Sequence, residues 1–327
     1  MPAIRTEALT KEFPVGFWRK RVHRALDQLT LSVEPGEVFG FLGPNGAGKT
    51  TTLKLLLQLI FPTSGVAEIL GRPAGSVDVR HRIGYLPETP YFYDNLTAEE
   101  LLLYFAKLFG YAPADRRRRV DRLLDEVGIG SERRQMLRRF SKGMLQRVGV
   151  AQALVNDPEV VFLDEPMSGL DPIGRRQIRE LILDLRRQGR TVFFSSHILA
   201  DAESICSQAG VLVAGRLVSV GRLDEILAVE RGWELVVADL SEVAQRAIGS
   251  RARRITQIAL GRHALEVAPT ESDQFVRDCI ESGAHVVALN PLHATLEDFF
   301  LRAVQDERGN EGASSDDSRA TEPPPTS

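Results

Sequence analysis

The stretch that decides the fold is Glu37–Thr51, EVFGFLGPNGAGKTT. Its first part is apolar without alternation, the mark of a strand buried on both faces, as in a parallel sheet. The residues that follow spell G-x-x-x-x-G-K-[ST] with Gly43, Gly48, Lys49 and Thr50. A strand precedes them and a helical run from Thr51 follows, which is the setting this motif requires. Glycines let backbone N–H groups face an anion with no Cβ in the way. The whole loop, Gly43, Pro44, Asn45, Gly46, Ala47, Gly48, Lys49, Thr50 and Thr51, is therefore expected to cradle a nucleotide's phosphates. Lys49 is expected to reach the β- and γ-phosphates, and the Thr50 hydroxyl to ligate Mg²⁺.

Outward from this loop, Glu159–Pro166 (EVVFLDEP) and Arg190–His197 (RTVFFSSH) read as two more buried strands. Helical patterns separate the strands, so the first part of the chain is α/β with a largely parallel sheet. Ligands bind such sheets at the C-terminal strand ends. Asp164 and Glu165 sit there, one carboxylate to hold Mg²⁺ and its neighbour to polarise a water against the γ-phosphate. We assign the metal to Asp164 and the water to Glu165. His197 ends the third strand on the same edge, placed to donate a hydrogen bond to the γ-phosphate.

A second phosphate device lies in Phe140–Leu154, FSKGMLQRVGVAQAL. Ser141 and Gly143 at a helix start leave backbone N–H groups free for an anion. The phosphate loop already wraps one face of the nucleotide, and Leu96–Arg139 is a helical insertion between the two. A second cap therefore serves the same ATP only if another copy of the chain supplies it. Two copies head to tail would sandwich two ATP molecules.

The boundaries read as an α/β domain over residues 1–225, with a helical part at about 96–145, and a small α+β domain over 232–306. The second domain runs β-α-β-β-α-β, the ferredoxin-like order. A last helix, TLEDFFLRAVQ, follows Pro291, and the polar, proline-containing residues 307–327 are expected to be disordered. Net charge is −3, which argues against general nucleic-acid binding. Two cysteines, Cys206 and Cys279, are too few for a disulfide framework or metal cluster and are expected to be inert thiols. The start, MPAIRTEALTKEF, lacks the apolar core of a signal peptide, and no run is long enough to span a membrane. Arg116–Arg119 is expected to be a solvated face. Arg133, Arg134, Arg138 and Arg139 border the second phosphate device, placed to meet anionic lipid or an acidic partner loop.

Over about Ile4–Leu223 these motifs resemble the nucleotide-binding subunit of an ABC transporter. GPNGAGKTT matches the Walker A loop, VVFLDEP Walker B and SSH the histidine switch. FSKGM stands where the family signature reads LSGGQ. SGLDP (Ser168–Pro172) matches the D-loop, which implies that Asp171 lies at the nucleotide. Phe13 matches the aromatic residue that stacks on adenine, with Phe17 and Trp18 as rivals. The signature has Phe140 for Leu, Lys142 for Gly and Met144 for Gln. Glu88 stands where the Q-loop glutamine is expected; a carboxylate also ligates Mg²⁺ or water, but adds negative charge beside the γ-phosphate. Glu88, SKGM and TLEDFFL together resemble ATPases of bacterial ABC-2-type exporters. The resemblance implies ATP and Mg²⁺ as cofactors, a homodimer of ATPase subunits, and a separate integral membrane permease at the cytoplasmic face of the membrane. A soluble ABC ATPase acting on ribosomes or DNA is the rival reading, though such proteins usually carry two ATPase units or a long coiled coil. This chain has one phosphate loop and no sustained heptads.

Overall fold

The computed structural model describes residues 1–16, 21–223 and 230–293. It divides after Leu223 into two compact units. In the first, β1 (Ile4–Val15) and β2 (Arg21–Val33) form an antiparallel ribbon. β3 (Val38–Leu42) enters the core and α1 (Lys49–Leu56) leaves it. The helix thus begins two residues before the expected Thr51, with Gly48 as its N-cap. β4 (Ser64–Ile69) pairs with β1, and β5 (Arg72–Pro73) with β4. The short α2 (Val77–Arg80) leads to β6 (Ile83–Leu86).

Three helices follow: α3 (Ala98–Leu108), α4 (Pro113–Glu126) and α5 (Lys142–Ala153). α3 starts on a capping box. Thr97 Oγ1 accepts from the Glu100 backbone N–H, and the Glu100 carboxylate accepts from the Thr97 N–H, closing two otherwise unpaired donors. The Thr97 N–H and hydroxyl both donate to the Glu100 carboxylate and hold it below its ordinary range. α4 buries Val120, Leu123 and Leu124, the apolar stripe visible in the sequence. The arginine run is only half solvated. Arg117 and Arg118 are exposed, whereas Arg116 Nε donates to the Tyr111 carbonyl at 2.7 Å and Arg119 stacks 4.4 Å over the Tyr111 ring. The helical repeat turns these two inward, and Tyr111 gives them an acceptor and an aromatic face.

The unit closes with β7 (Val160–Leu163), α6 (Pro172–Arg187), β8 (Thr191–Ser196), α7 (Leu199–Glu203), β9 (Gln208–Val213) and β10 (Arg216–Arg222). The central sheet has the order β10-β9-β3-β8-β7-β6. Every pairing in it is parallel except that of the β10 edge.

Phenylalanines at one level of this sheet hold its register. Phe39, Phe193 and Phe162 are direct cross-strand neighbours. Phe193 lies 5.5 Å from Phe39, 5.3 Å from Phe41 and 5.9 Å from Phe162, ring centre to ring centre. All four are fully buried, each contributing about 1.5–3 kcal/mol of burial free energy. A slip by one residue would turn them to the opposite face. The level they set brings Gly43, Asp164 and His197 out at one edge.

In the second unit, β11 (Glu230–Ala238), α8 (Glu242–Gly249), β12 (Arg254–Ala259), β13 (Arg262–Val267), α9 (Ser272–Glu281) and β14 (His285–His293) alternate in ferredoxin-like order. Their sheet runs β12-β13-β11-β14, antiparallel throughout. Leu235, Val237, Leu265, Val267, Phe275 and Cys279 fill its core. The helix expected after Pro291 and the segment 307–327 lie outside the described residues.

Candidate functional site

Two glycines make the phosphate loop possible. A Cβ on Gly43 would sit 2.2 Å from the Leu212 carbonyl oxygen, and one on Gly48 would sit 2.4 Å from that of Ala25. Neither is a distance that a side chain tolerates, so the loop lies against its neighbours with no room to spare. Gly48 also has φ +106°, a conformation that glycine adopts without steric cost. Lys49 folds back beneath the loop and donates to the carbonyls of Gly43 (2.8 Å) and Pro44 (3.1 Å). Its ammonium is 3.2 Å from Glu165 Oε1, and both side chains are buried.

The strand ends assemble the acidic half. Thr50 Oγ1 donates to Asp164 Oδ1 at 3.3 Å. Ser195 Oγ donates to the same oxygen at 2.6 Å and accepts from the Glu165 backbone N–H at 2.9 Å. His197 Nδ1 lies 2.7 Å from Glu165 Oε2; a carboxylate only accepts, so this nitrogen carries the proton. Glu165 has φ +47°, the left-handed region, a strain of about 1–3 kcal/mol of the kind found at functional sites. The Ser195 bond and the two Glu165 partners hold that geometry in place.

Thr50 and Asp164 offer a hydroxyl and a carboxylate, the hard oxygen donors that Mg²⁺ prefers. Among the described residues, no trio of His, Cys, Asp and Glu gathers that could hold a metal. An ion bound here therefore draws its remaining ligands from phosphate and water, the usual manner of Mg²⁺. The donor set fits.

These groups open onto a cleft of about 450 Å³ lined by Phe13, His23, Ala25, Asn45, Gly46, Gly48, Lys49, Thr50, Thr51, Glu88 and Glu165. Glu88 thus shares the cleft with Thr50. Phe13 pairs with His23 across the β1–β2 ribbon, and the Lys11 ammonium lies 5.0 Å over its ring. Phe17 and Trp18, the rivals of Phe13, lie outside the described residues. His23, Ala25 and Ser195 were not singled out in the sequence. The first two reach the cleft through the ribbon's register, and Ser195 through the pairing of β8 with β7.

Ser141, Gly143 and Asp171 are elsewhere. They line a second cleft of about 290 Å³ with Lys142, Met144, Arg147, Gly169, Leu170 and others, and none of its residues lines the first cleft. Ser141 Oγ accepts from the Met144 N–H at 3.2 Å, capping α5, and Asp171 Oδ1 accepts from the Gly174 N–H at 2.7 Å, capping α6. A Cβ on Gly143 would find its nearest neighbour only at 3.9 Å, so the helix start is uncluttered. Phe140 is buried and keeps the apolar anchor that leucine would provide. Lys142, in place of a glycine, reaches over Gly169, where a Cβ would meet its ammonium at 2.4 Å.

A phosphate loop feeding a helix, with a strand-end carboxylate pair and a histidine on the same edge, defines a P-loop nucleotide-binding protein. Residues 26–168 match the ABC transporter family model. An uncharacterized ABC transporter ATP-binding protein of Synechocystis is 45% identical over 94% of this chain and 85% of its own. The bacitracin transport ATP-binding protein of Bacillus licheniformis is 34% identical over 92% of this chain and 97% of its own. A fluoroquinolones export ATP-binding protein of Mycobacterium tuberculosis is 39% identical over 68% and 72%. A bacterial ABC transporter cassette of dimeric structure is similar at TM-score 0.62 and 25% identity, over 67% of this chain and 98% of that one. The chain belongs to the ABC transporter ATP-binding family and is an ATP-binding ATPase subunit.

Proposed function

We propose that this chain energises export of a substrate across the cytoplasmic membrane, through a separate integral membrane permease, by ATP-driven head-to-tail pairing of two copies. The observation that carries the pairing is the separation of the two clefts. Each chain bears a phosphate loop at one cleft and an uncluttered helix cap at another, so each nucleotide needs both chains. The dimeric cassette among its structural relatives supports the same reading. The transport and export relatives support the permease and the direction. Among the described residues no helix is long and apolar enough to cross a membrane; in this reading the permease provides the membrane path.

In this reading residues 1–225 are the ATPase and 232–306 an accessory domain. Phe13 stacks on adenine. Gly43–Thr51 binds the phosphates, with Lys49 on the β- and γ-phosphates. Thr50 and Asp164 hold Mg²⁺, with Glu88 beside them; the ion, when bound, neutralises phosphate charge. Glu165 takes the proton of a water as its oxygen attacks the γ-phosphorus, and the bond to the β–γ bridging oxygen breaks, giving ADP and phosphate. Glu165 shares its carboxylate between Lys49 and His197, and both of these donors also suit a γ-phosphate. Binding of ATP then recruits Lys49 and His197 and leaves Glu165 free to act as base. Ser141, Gly143 and Asp171 complete the site from the partner chain.

Ser141→Arg tests the reading. This variant is expected to bind ATP at its own intact loop, yet to lose at least about tenfold in turnover, the cost of removing transition-state positioning. Normal turnover would overturn the two-chain site.

A further inference from the structure

Four residues after His197 stands a carboxylate that the proposed chemistry does not use. Asp201, on α7, is 3% exposed. Its Oδ2 has no hydrogen-bond partner. Facing it from α6 is Arg179, whose Nη2 stops 4.0 Å from Asp201 Oδ1. Arg179 Nε is likewise buried and without a hydrogen-bond partner. Two complementary groups thus stand side by side, each with a polar atom unsatisfied. The remaining charged groups around Asp201 are Arg175, His197 and Glu165.

Such an arrangement is costly. A buried polar atom without a partner forfeits its hydration and gains nothing in return. Burial pushes the Asp201 carboxyl above its ordinary value, although Arg175, Arg179 and His197 all pull it down. The charge of Asp201 therefore weakens the fold here. Guanidinium and carboxylate are shaped for a two-bonded pair, and closing a gap of this size needs only a small relative movement of α6 and α7.

The two helices belong to different half-sites. α6 is capped by Asp171, and Arg175 one turn further on donates to the Leu170 carbonyl at 3.2 Å; both Leu170 and Asp171 line the cleft turned to the partner chain. α7 follows directly on His197, which bonds Glu165 in the chain's own cleft. We propose that Arg179 and Asp201 are positioning residues that form a latch between these half-sites, open as described here and closed into a two-bonded pair when His197 moves onto the γ-phosphate. Closing the latch fixes His197 and sets Asp171 for the partner's nucleotide, so each site reports its occupancy to the other. The latch rests on the reading of His197 as the γ-phosphate donor.

The test is steady-state ATPase of the full-length wild type, Asp201→Asn, Arg179→Gln and the double variant, with thermal melting of each. Asp201→Asn keeps size and polarity and removes the buried charge. It is expected to melt no lower than wild type while kcat falls about tenfold and KM for ATP stays within about twofold. Arg179→Gln is expected to show the same kinetic loss, and the double variant to be no slower than either single one, because a pair acting as one unit is lost only once. Asp201→Glu, with one more methylene to span the gap, is expected to recover most of kcat. Wild-type kcat in Asp201→Asn overturns the latch, as do losses that multiply in the double variant or a kcat loss that merely tracks a lower melting point. A wild type that binds ATP without hydrolysing it overturns the ATPase reading itself, and the latch with it.

Discussion

Thr50 and Asp164 stand 114 residues apart in the chain, yet the hydroxyl of one donates to the carboxylate of the other at 3.3 Å. The contact exists because β3 and β7 both flank β8 and all three end at one edge. Together they present two hard oxygens of the kind that Mg²⁺ prefers.

Removal of Mg²⁺ by EDTA is accordingly expected to abolish hydrolysis, and Asp164→Asn to lower it at least about 100-fold, as for loss of a major charge-stabilising group. Thr50→Ala is expected to raise the Mg²⁺ concentration needed for half-maximal rate. ATPase assays across a Mg²⁺ titration measure both. Full activity in EDTA would remove Thr50 and Asp164 from the metal.

Glu165 is bonded by Lys49 and His197, so Glu165→Gln removes the carboxylate proposed as the base while leaving the cradle of Gly43–Thr51 intact. Turnover is expected to fall at least about 100-fold, within the range for losing a general base, with ATP affinity retained. The ATP-bound dimer is expected to accumulate on size exclusion. A variant with near-normal turnover would show that the base lies elsewhere.

Phe13 lines the phosphate-loop cleft and already carries Lys11 over its ring. Phe13→Ala is expected to weaken ATP by about 1–3 kcal/mol, the worth of a base–aromatic stack. Calorimetry of ATP and of a base-free triphosphate separates this from a phosphate effect, since only ATP is expected to lose affinity. Unchanged ATP binding would pass the role to Phe17 or Trp18.

Burial pushes the Cys206 thiol up to about 12, and that of Cys279 upward as well. The thiolate is the reactive form, so at pH 8 both cysteines are expected to label with iodoacetamide only on unfolding, and treatment is expected to leave ATPase activity unchanged. Rapid labelling of the folded protein would contradict the burial of either residue.

Much of the site could be read from the sequence because its motifs are contiguous. Gly43–Thr51, Asp164–Glu165 and His197 each sit at the end of an apolar run, and the length of the run places them at the sheet edge. Residues that act through register could not be read in this way. Ser195 bridges Asp164 and the Glu165 backbone only because β8 lies beside β7 at one offset, and the sequence does not print that offset. His23 shares a cleft with Lys49 because it pairs with Phe13 across a ribbon containing several bulges, each of which shifts the register. Arg116 and Arg119 looked like solvated charges until Tyr111, from the preceding loop, supplied a carbonyl and a ring. Lys142 reads as a damaged signature position, yet its side chain lies along Gly169 and leaves Ser141 and Gly143 clear.

The head-to-tail pairing is tested most directly by crosslinking two differently marked chains. One carries Asn45→Cys in the phosphate-loop cleft, the other Met144→Cys in the second cleft, both on the Glu165→Gln background. Mixed in the presence of Mg·ATP and a short bis-maleimide, they are expected to give a crosslinked heterodimer that is absent without nucleotide. A mixture that yields no ATP-dependent heterodimer, while a single chain bearing both cysteines crosslinks only to itself, would contradict the two-chain site.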